Sequence, residues 1–150
     1  MILPLALLFS QAGCGSTKRH TTTSRVVAGG GFSVEVPAGW KLTRTDTGIV
    51  ARSGGAFVSV TRFALRRPYE PSEFGAAAAE LDRVASQLAA KAQAAVTERR
   101  TTTLAGRRAR GYGYARTRVG FVLVDRREYE LLCVGQPDAC ALLFSSFTVS

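Results

Sequence analysis

The stretch FSVEVPAGW, Phe32–Trp40, decides how the folded part of the chain is interpreted. Its first five residues alternate apolar and polar side chains, the period of two that is typical of a β-strand with one buried face. Pro37 and Gly39 follow at once and predict a turn, and Trp40 opens a second strand pattern, WKLTRT. We therefore expect ordered structure from residue 31 onward, beginning with two successive strands.

Two more strands and a long helix are predicted next. GIVAR and AFVSVTRF (Ala56–Phe63) have strand character, and the Ser-Gly-Gly between them is typical of a hairpin turn. From Ser72, the expected N-cap, to about Ala95, apolar residues recur at helical spacing. The apolar stripe of this helix is mostly alanine, so whatever lies beneath it can approach closely.

The C-terminal third predicts a strand, a hairpin and a short helix. The strand is RRARGYGYARTR, and the hairpin joins VGFVLVD to REYELLCV through Arg126 and Arg127. Asp138 is the expected cap of the last helix, ACALLFSSF. A length of 150 residues with 46% apolar content suits a single domain with one ordinary core.

The strand RRARGYGYARTR has two different faces. The first is small and consists of Ala109, Gly111, Gly113 and Ala115. The second, the Arg/Tyr face, consists of Arg108, Arg110, Tyr112, Tyr114 and Arg116. We expect the alanine stripe of the long helix to pack on the small face, because small residues on both sides allow close contact. The Arg/Tyr face is then a candidate binding surface for an anionic ligand or an acidic protein partner. In the alternative, structural interpretation, the tyrosines lie beneath the C-terminal helix and the arginine stems cover their edges.

The order of these elements resembles that of bacterial lipoproteins of the PsbP-like fold. The resemblance covers about residues 31–149 and rests on the F-x-V-x-V-P-x-G-W opening and on the closing aromatic-x-Leu strand with its following Ser-Phe. It implies an α+β fold in which an antiparallel sheet is sandwiched between a long helix and a short C-terminal helix. Members of this fold group are mainly adaptor, assembly or binding proteins, so it implies a non-catalytic module, for which we expect no cofactor.

The N-terminal segment has the pattern of a secretory signal. Met1–Phe9 is an apolar run about half as long as the ~18–20 residues that cross a bilayer. It leads to QAGC, which resembles a lipobox, although Gln11 stands where leucine is usual. We therefore expect a signal peptide in residues 1–13, acylation of Cys14, and a flexible tether in residues 14–30. The alternative is an ordinary cleaved signal in which Cys14 is incidental.

The other two cysteines, Cys133 and Cys140, are close enough in sequence to form a disulfide across a turn that contains Gly and Pro. An extracytoplasmic compartment permits such a bond, and the odd cysteine is then the one that carries the lipid. A pair of free thiols in the core is the alternative. The expected location is the outer face of the cell membrane, or outside the cell if no lipid is attached.

Signatures of catalysis are absent from the sequence. The single histidine, His20, lies in the expected tether, and no nucleophile, zinc-protease or nucleotide-binding motif occurs. Glu128 and Glu130 face the same way and could serve acid–base chemistry or hold a hard cation. The favoured interpretation is a solvated edge strand whose charge is balanced by Arg126 and Arg127. An enzyme of the cell envelope with a carboxylate-based site is the alternative function.

The chain is strongly basic, with 20 Lys and Arg against 11 Asp and Glu and a net charge of +9. This balance favours contact with phosphate-rich or acidic partners and with anionic lipid headgroups, but it specifies none of them. Nucleic acid is not an expected partner, because the signal places the domain outside the cytoplasm. The expected partners are the membrane, through the lipid, and an anionic ligand or acidic protein. No metal site is expected.

Overall fold

A computed structural model describes residues 23–150 of the chain. The expected signal peptide in residues 1–13 and the expected acylated Cys14 lie outside the described residues. Within residues 23–150 the chain forms ten β-strands and two α-helices. The strands belong to two sheets, of three and seven strands.

The small sheet contains β1 (Ser24–Gly29), β2 (Phe32–Pro37) and β10 (Thr148–Val149), with β2 in the middle. The predicted strand FSVEVP is confirmed as β2. The prediction of a tether over residues 14–30 is wrong from Ser24 onward, because β1 pairs antiparallel with β2 along its whole length. Val27 is the only buried residue of β1, so this strand depends on main-chain hydrogen bonds to β2 and shows no alternating pattern of its own.

The seven-stranded sheet forms the centre of the molecule, and all its neighbouring strands are antiparallel. In spatial order it contains β3 (Lys41–Thr45), β4 (Gly48–Ser53), β5 (Ala56–Ala64), β9 (Arg127–Val134), β8 (Thr117–Val124), β7 (Arg107–Tyr114) and β6 (Glu98–Leu104). The strands predicted from the sequence are confirmed, except that RRARGYGYARTR ends as a strand at Tyr114, because Ala115, with a φ of 48°, begins the turn to β8. β8 and β9 form the expected hairpin.

The long predicted helix is confirmed as α1 (Phe74–Lys91), and the C-terminal one as α2 (Pro137–Ser146). Residues 71–73 form a 3₁₀ turn before α1, so the helix begins two residues after the expected cap, Ser72. It ends before the expected Ala95 because Gln93 has a φ of 54°, in the left-handed region.

Two apolar cores lie on opposite faces of the seven-stranded sheet. The larger core fills the space between that sheet and a layer formed by the small sheet and α2, and it includes Val34, Leu131 and Leu143. The smaller core lies between the sheet and α1, and it includes Leu81 and Phe121. The expected α+β architecture, an antiparallel sheet sandwiched between the long and the C-terminal helix, is confirmed.

The prediction that α1 packs on the small face of β7 is wrong. Tyr112 and Tyr114 lie in the core under α1, whereas Ala109 belongs to the larger core on the other side of the sheet. The alanine stripe leaves space that large sheet side chains fill, and small against large gives denser packing than small against small. On that side of the sheet α2 packs against the neighbouring strand β8, where a Cβ on Gly120 would lie 2.6 Å from the Phe144 ring.

Candidate functional site

The Arg/Tyr face of β7 lies beneath α1 and is not an open surface at its centre. The side chains of Tyr112 and Tyr114 are only 3% and 5% exposed. Burial raises the pKa of both phenols further above neutral pH, and both hydroxyls are therefore available as hydrogen-bond donors. The alternative prediction, that the tyrosines are buried beneath a helix, is confirmed. The helix that covers them is α1, however, and not the C-terminal helix that the prediction named.

A hydrogen-bond network joins α1 to β7 through Asp82. The Tyr112 hydroxyl donates to Asp82 Oδ1 at 2.6 Å, and Arg110 donates through Nε to Oδ1 at 2.8 Å and through Nη2 to Oδ2 at 3.0 Å. The Arg110 hydrogen bonds, with that from Tyr112, hold the pKa of the Asp82 carboxyl below its usual range. The charge of Arg110 is therefore neutralised within the fold and is not free to attract an anion.

The other two arginines of the Arg/Tyr face lie apart from each other. The Arg108 guanidinium stacks on the ring of Phe74, 4.0 Å from its centroid. Arg116 lies in the turn between β7 and β8 and, with Arg118, lines a cleft of about 430 Å³ beside the start of α2. The five residues thus do not form one binding surface, and of its three arginines only Arg116 lines one of the described clefts.

The predicted pair Cys133 and Cys140 forms a disulfide, with its Cα atoms 5.4 Å apart. Both cysteines are buried in the larger core. The bond ties the end of β9 to the first turn of α2. Its place is structural, and it leaves Cys14, outside the described residues, as the third cysteine of the chain.

Glu128 and Glu130 do not lie on a solvated edge strand, and that interpretation is wrong. They belong to β9, which is paired on both sides, and they point to the α1 side of the sheet. Burial raises the pKa of both carboxyls, and the neighbouring Glu130 raises that of Glu128 further. Neither glutamate lines the cleft beside α2 or the two described clefts elsewhere, of about 380 and 300 Å³. Both glutamates are half-buried, and none of the three clefts described within residues 23–150 would hold a substrate against them.

A second group of arginines surrounds the turn between β1 and β2. Arg44 Nη1 donates to the carbonyl of Ala28 at 2.5 Å, and Arg62 Nη1 donates to the carbonyl of Gly30 at 3.0 Å. Arg127 Nη1 is 3.5 Å from the hydroxyl of Tyr129, which itself donates to the carbonyls of the same turn. We call Arg44, Arg62 and Arg127 the turn-arginine cluster.

Main-chain carbonyls hold Arg44 and Arg62 in place, whereas Arg127 contacts the Tyr129 hydroxyl, and none of the three has a carboxylate partner within residues 23–150. Each guanidinium has five N–H donors, most of which these contacts leave unused. Arg44 and Arg127 are exposed and Arg62 is half-buried. Unlike Arg110 of the Arg/Tyr face, the three arginines of this cluster therefore lie together and keep a positive charge that no carboxylate of residues 23–150 neutralises.

Within residues 23–150 there is no group of three His, Cys, Asp or Glu side chains that could hold a metal ion. The chain's single histidine, His20, lies outside that range. Neither α1 nor α2 is long and apolar enough to cross a membrane.

The chain matches no protein-family model and no curated protein. Thirteen chains of solved structures are similar to it in fold. One is the solution structure of cyanobacterial PsbP (CyanoP) from Synechocystis sp. PCC 6803, with a TM-score of 0.63 and 12% sequence identity, over 93% of this chain and 98% of that chain. The fold is PsbP-like.

The PsbP-like sheet explains why the turn-arginine cluster was missed in the sequence. Arg62 continues the alternation of Val58 and Val60 on the face toward the small sheet, and Arg127 precedes Tyr129 on the equivalent face of β9. The alternation of side chains between the two faces along β5 and β9 therefore indicates which face of the sheet Arg62 and Arg127 point to. Their proximity depends on the strand order of the PsbP-like fold, which no local pattern gives.

Proposed function

We propose that the chain is an extracytoplasmic, non-catalytic binding or assembly module that a lipid on Cys14 holds at the outer face of the cell membrane. The observation that carries this proposal is the likeness to CyanoP over 93% of the chain, because the fold group that the sequence resembles consists mainly of adaptor, assembly and binding proteins. The lipid is supported by sequence alone, through the apolar run Met1–Phe9 and the QAGC motif.

The disulfide supports the extracytoplasmic part of the proposal. Disulfides persist in oxidising compartments and are rare in the cytosol. Cys133 and Cys140 are bonded to each other, and the remaining cysteine, Cys14, stands at the lipidated position of the lipobox-like motif.

The contacts of the charged side chains favour a module over an enzyme. Asp82 is hydrogen-bonded into the interface between α1 and β7, where it supports the packing of the helix. Glu128 and Glu130 have raised pKa values but lie outside the clefts described above. The carboxylate-based enzyme would require a site that encloses its substrate and excludes water.

The lipid anchor is tested by metabolic labelling of the full chain with radioactive palmitate, followed by mass spectrometry of the mature N-terminus. We expect label on the wild type and none on the C14S variant. The C133S/C140S double variant is the matched control, because it removes two cysteines and should keep the label. An unprocessed Met1 on the mature chain, or cleavage beyond Gly15, would contradict the anchor.

The non-catalytic part is tested by incubating the purified full chain with cell-envelope glycans, peptides and lipids. We expect no turnover that depends on Glu128 or Glu130. Hydrolysis of any of these substrates that the E130Q variant abolishes, while its folding is unchanged, would establish the enzyme alternative in place of the module.

A further inference from the structure

The turn-arginine cluster lies at the end of the domain that is opposite to the start of the described chain. β1 runs from Ser24, beside Thr23, to Gly29, and the cluster surrounds the turn that follows. A strand of six residues is about 20 Å long. If the domain is anchored through residues before Thr23, the length of β1 therefore separates the cluster from the anchored end by about 20 Å.

Three strands contribute one arginine each, in a row. Arg44 belongs to β3, Arg62 to β5 and Arg127 to β9, and the spatial order is β3-β4-β5-β9. The row is staggered, because Arg44 is level with Val60 of β5, two residues before Arg62. Arg127 is level with Ala64, two residues after Arg62. With strands about 4.8 Å apart and about 3.3 Å per residue along a strand, the Cα atoms span about 20 Å on the diagonal. In an extended peptide, side chains two residues apart lie about 7 Å from each other on one face, so three or four carboxylates cover the row.

More positive charge flanks the row. Arg66 and Arg126 are exposed at the same end of the sheet, where Arg126 Nη2 donates to the carbonyl of Arg66 at 2.9 Å. The carboxylates of the neighbouring turns, Asp46 and Asp125, make no ion pair with these arginines. Guanidinium groups bind carboxylates through two parallel hydrogen bonds, and the fixation of Arg44 and Arg62 by the turn carbonyls reduces the entropy lost on binding.

We propose that the turn-arginine cluster is the docking surface for an acidic segment of a partner protein. This deepens the proposed function and rests on it for the orientation of the domain, because an anchor before Thr23 places the cluster away from the lipid surface. A protein partner is therefore favoured over the headgroups of the anchoring membrane. The extended row along the sheet end suits a strand-like acidic peptide, and none of its arginines lines the three clefts described within residues 23–150.

The experiment measures binding of a fluorescein-labelled deca-glutamate peptide to the full chain by fluorescence anisotropy, at low and at high salt. The cluster variant is R44Q/R62Q/R127Q. The matched control is R52Q/R99Q/R116Q, which removes the same charge from three exposed arginines at the other end of the sheet. We expect the cluster variant to bind about tenfold more weakly than the wild type and the control to change less than about threefold. Binding should weaken with salt in the wild type.

Melting temperatures of all three proteins establish that the chain stays folded. If the triple variant is unstable, R127Q alone, whose arginine makes no direct contact with the turn carbonyls, should still weaken binding more than R116Q does. Equal weakening in cluster and control variants would show a net-charge effect and overturn the proposal. So would absence of peptide binding by the wild type.

Vesicles of phosphatidylglycerol are the second probe. If the wild type binds these vesicles through the cluster and binds no peptide, the surface faces a membrane and the proposal is wrong. Palmitate labelling of the same preparations separates the two proposals. A labelled chain that binds no peptide contradicts only the docking surface, and an unlabelled chain that binds the peptide through the cluster contradicts only the anchor.

Discussion

Replacing Asp82 with alanine should lower the stability of the domain by about 2–3 kcal/mol. The substitution removes the acceptor of two hydrogen bonds from Arg110 and leaves the Tyr112 hydroxyl, in a residue only 3% exposed, without its partner. Losing a charge-assisted hydrogen bond costs about 1.5–3 kcal/mol, and an unsatisfied buried donor about 1–3 kcal/mol. These costs overlap, since the Asp82 side chain is 30% exposed and water can replace part of the network. The better helix propensity of alanine offsets about 0.5 kcal/mol.

The assay is urea unfolding at pH 7 with a thermal scan, in which a loss of this size lowers Tm by roughly 6–15 °C. Y112F should cost only about 1 kcal/mol, because Arg110 still holds the carboxylate in that variant. D46A is the matched control, an exposed aspartate in the β3–β4 turn, and should stay within about 0.5 kcal/mol of the wild type.

The cost of the D82A substitution should depend on pH. Arg110 and Tyr112 lower the pKa of Asp82 in the folded state, so its stabilisation is present above the unfolded pKa of about 3.9 and is lost as pH falls through the lower folded value. The difference between wild type and D82A should therefore shrink below about pH 3. A cost under about 0.5 kcal/mol at pH 7, or one that does not change with pH, would refute the role assigned to this network.

Two further predictions concern buried positions of the large sheet. Burial raises the pKa of Glu130 in the folded state, so its protonated form favours folding, and this contribution is complete below about pH 4.3 and lost as pH rises through the raised pKa. E130Q should therefore raise the urea midpoint at pH 7 and leave it unchanged near pH 4, and a lower midpoint at pH 7 would contradict the assigned burial. G48A should cost at least about 3 kcal/mol, because its Cβ would lie 1.9 Å from a main-chain carbonyl oxygen of β5. G39A, whose Cβ meets nothing within 4 Å, is the control, and equal urea midpoints for the two variants would show that β4 can shift freely.

The sequence predicted most of the secondary structure because its strands alternate and its long helix has a regular stripe. The segments FSVEVP and REYELLCV both form the predicted strands, and their alternating apolar residues from Phe32 to Val36 and from Tyr129 to Cys133 lie in the larger core. β1 was missed because a single buried residue, Val27, leaves no period to detect. The solvated-edge interpretation of Glu128 and Glu130 failed for a related reason, since strand order decides whether a strand has one neighbour or two.

The candidate site was harder to predict than the fold, because it depends on which face of a strand a helix covers. Tyr112 and Tyr114 alternate with glycines, and the sequence alone allows α1 to lie on either side of β7. The choice is set by side-chain volume: the alanines of α1 leave room for the tyrosine rings, and on the other side of the sheet Gly120 of β8 leaves room for Phe144 of α2.

That same choice determines which arginines can serve a partner. By covering the tyrosines, α1 brings Asp82 onto Arg110 and neutralises the cation at the centre of the Arg/Tyr face. The arginines of the turn-arginine cluster keep their charge because their partners carry no net charge: main-chain carbonyls for Arg44 and Arg62, and the Tyr129 hydroxyl for Arg127. A salt bridge to a carboxylate fixes an arginine and cancels its charge, whereas a bond to a carbonyl fixes it and leaves the charge available. In this fold several arginines have the second arrangement, Arg25 beside Thr23 among them. Arg44 and Arg62 have it together at the end of the sheet away from Thr23, where we propose that an acidic partner binds.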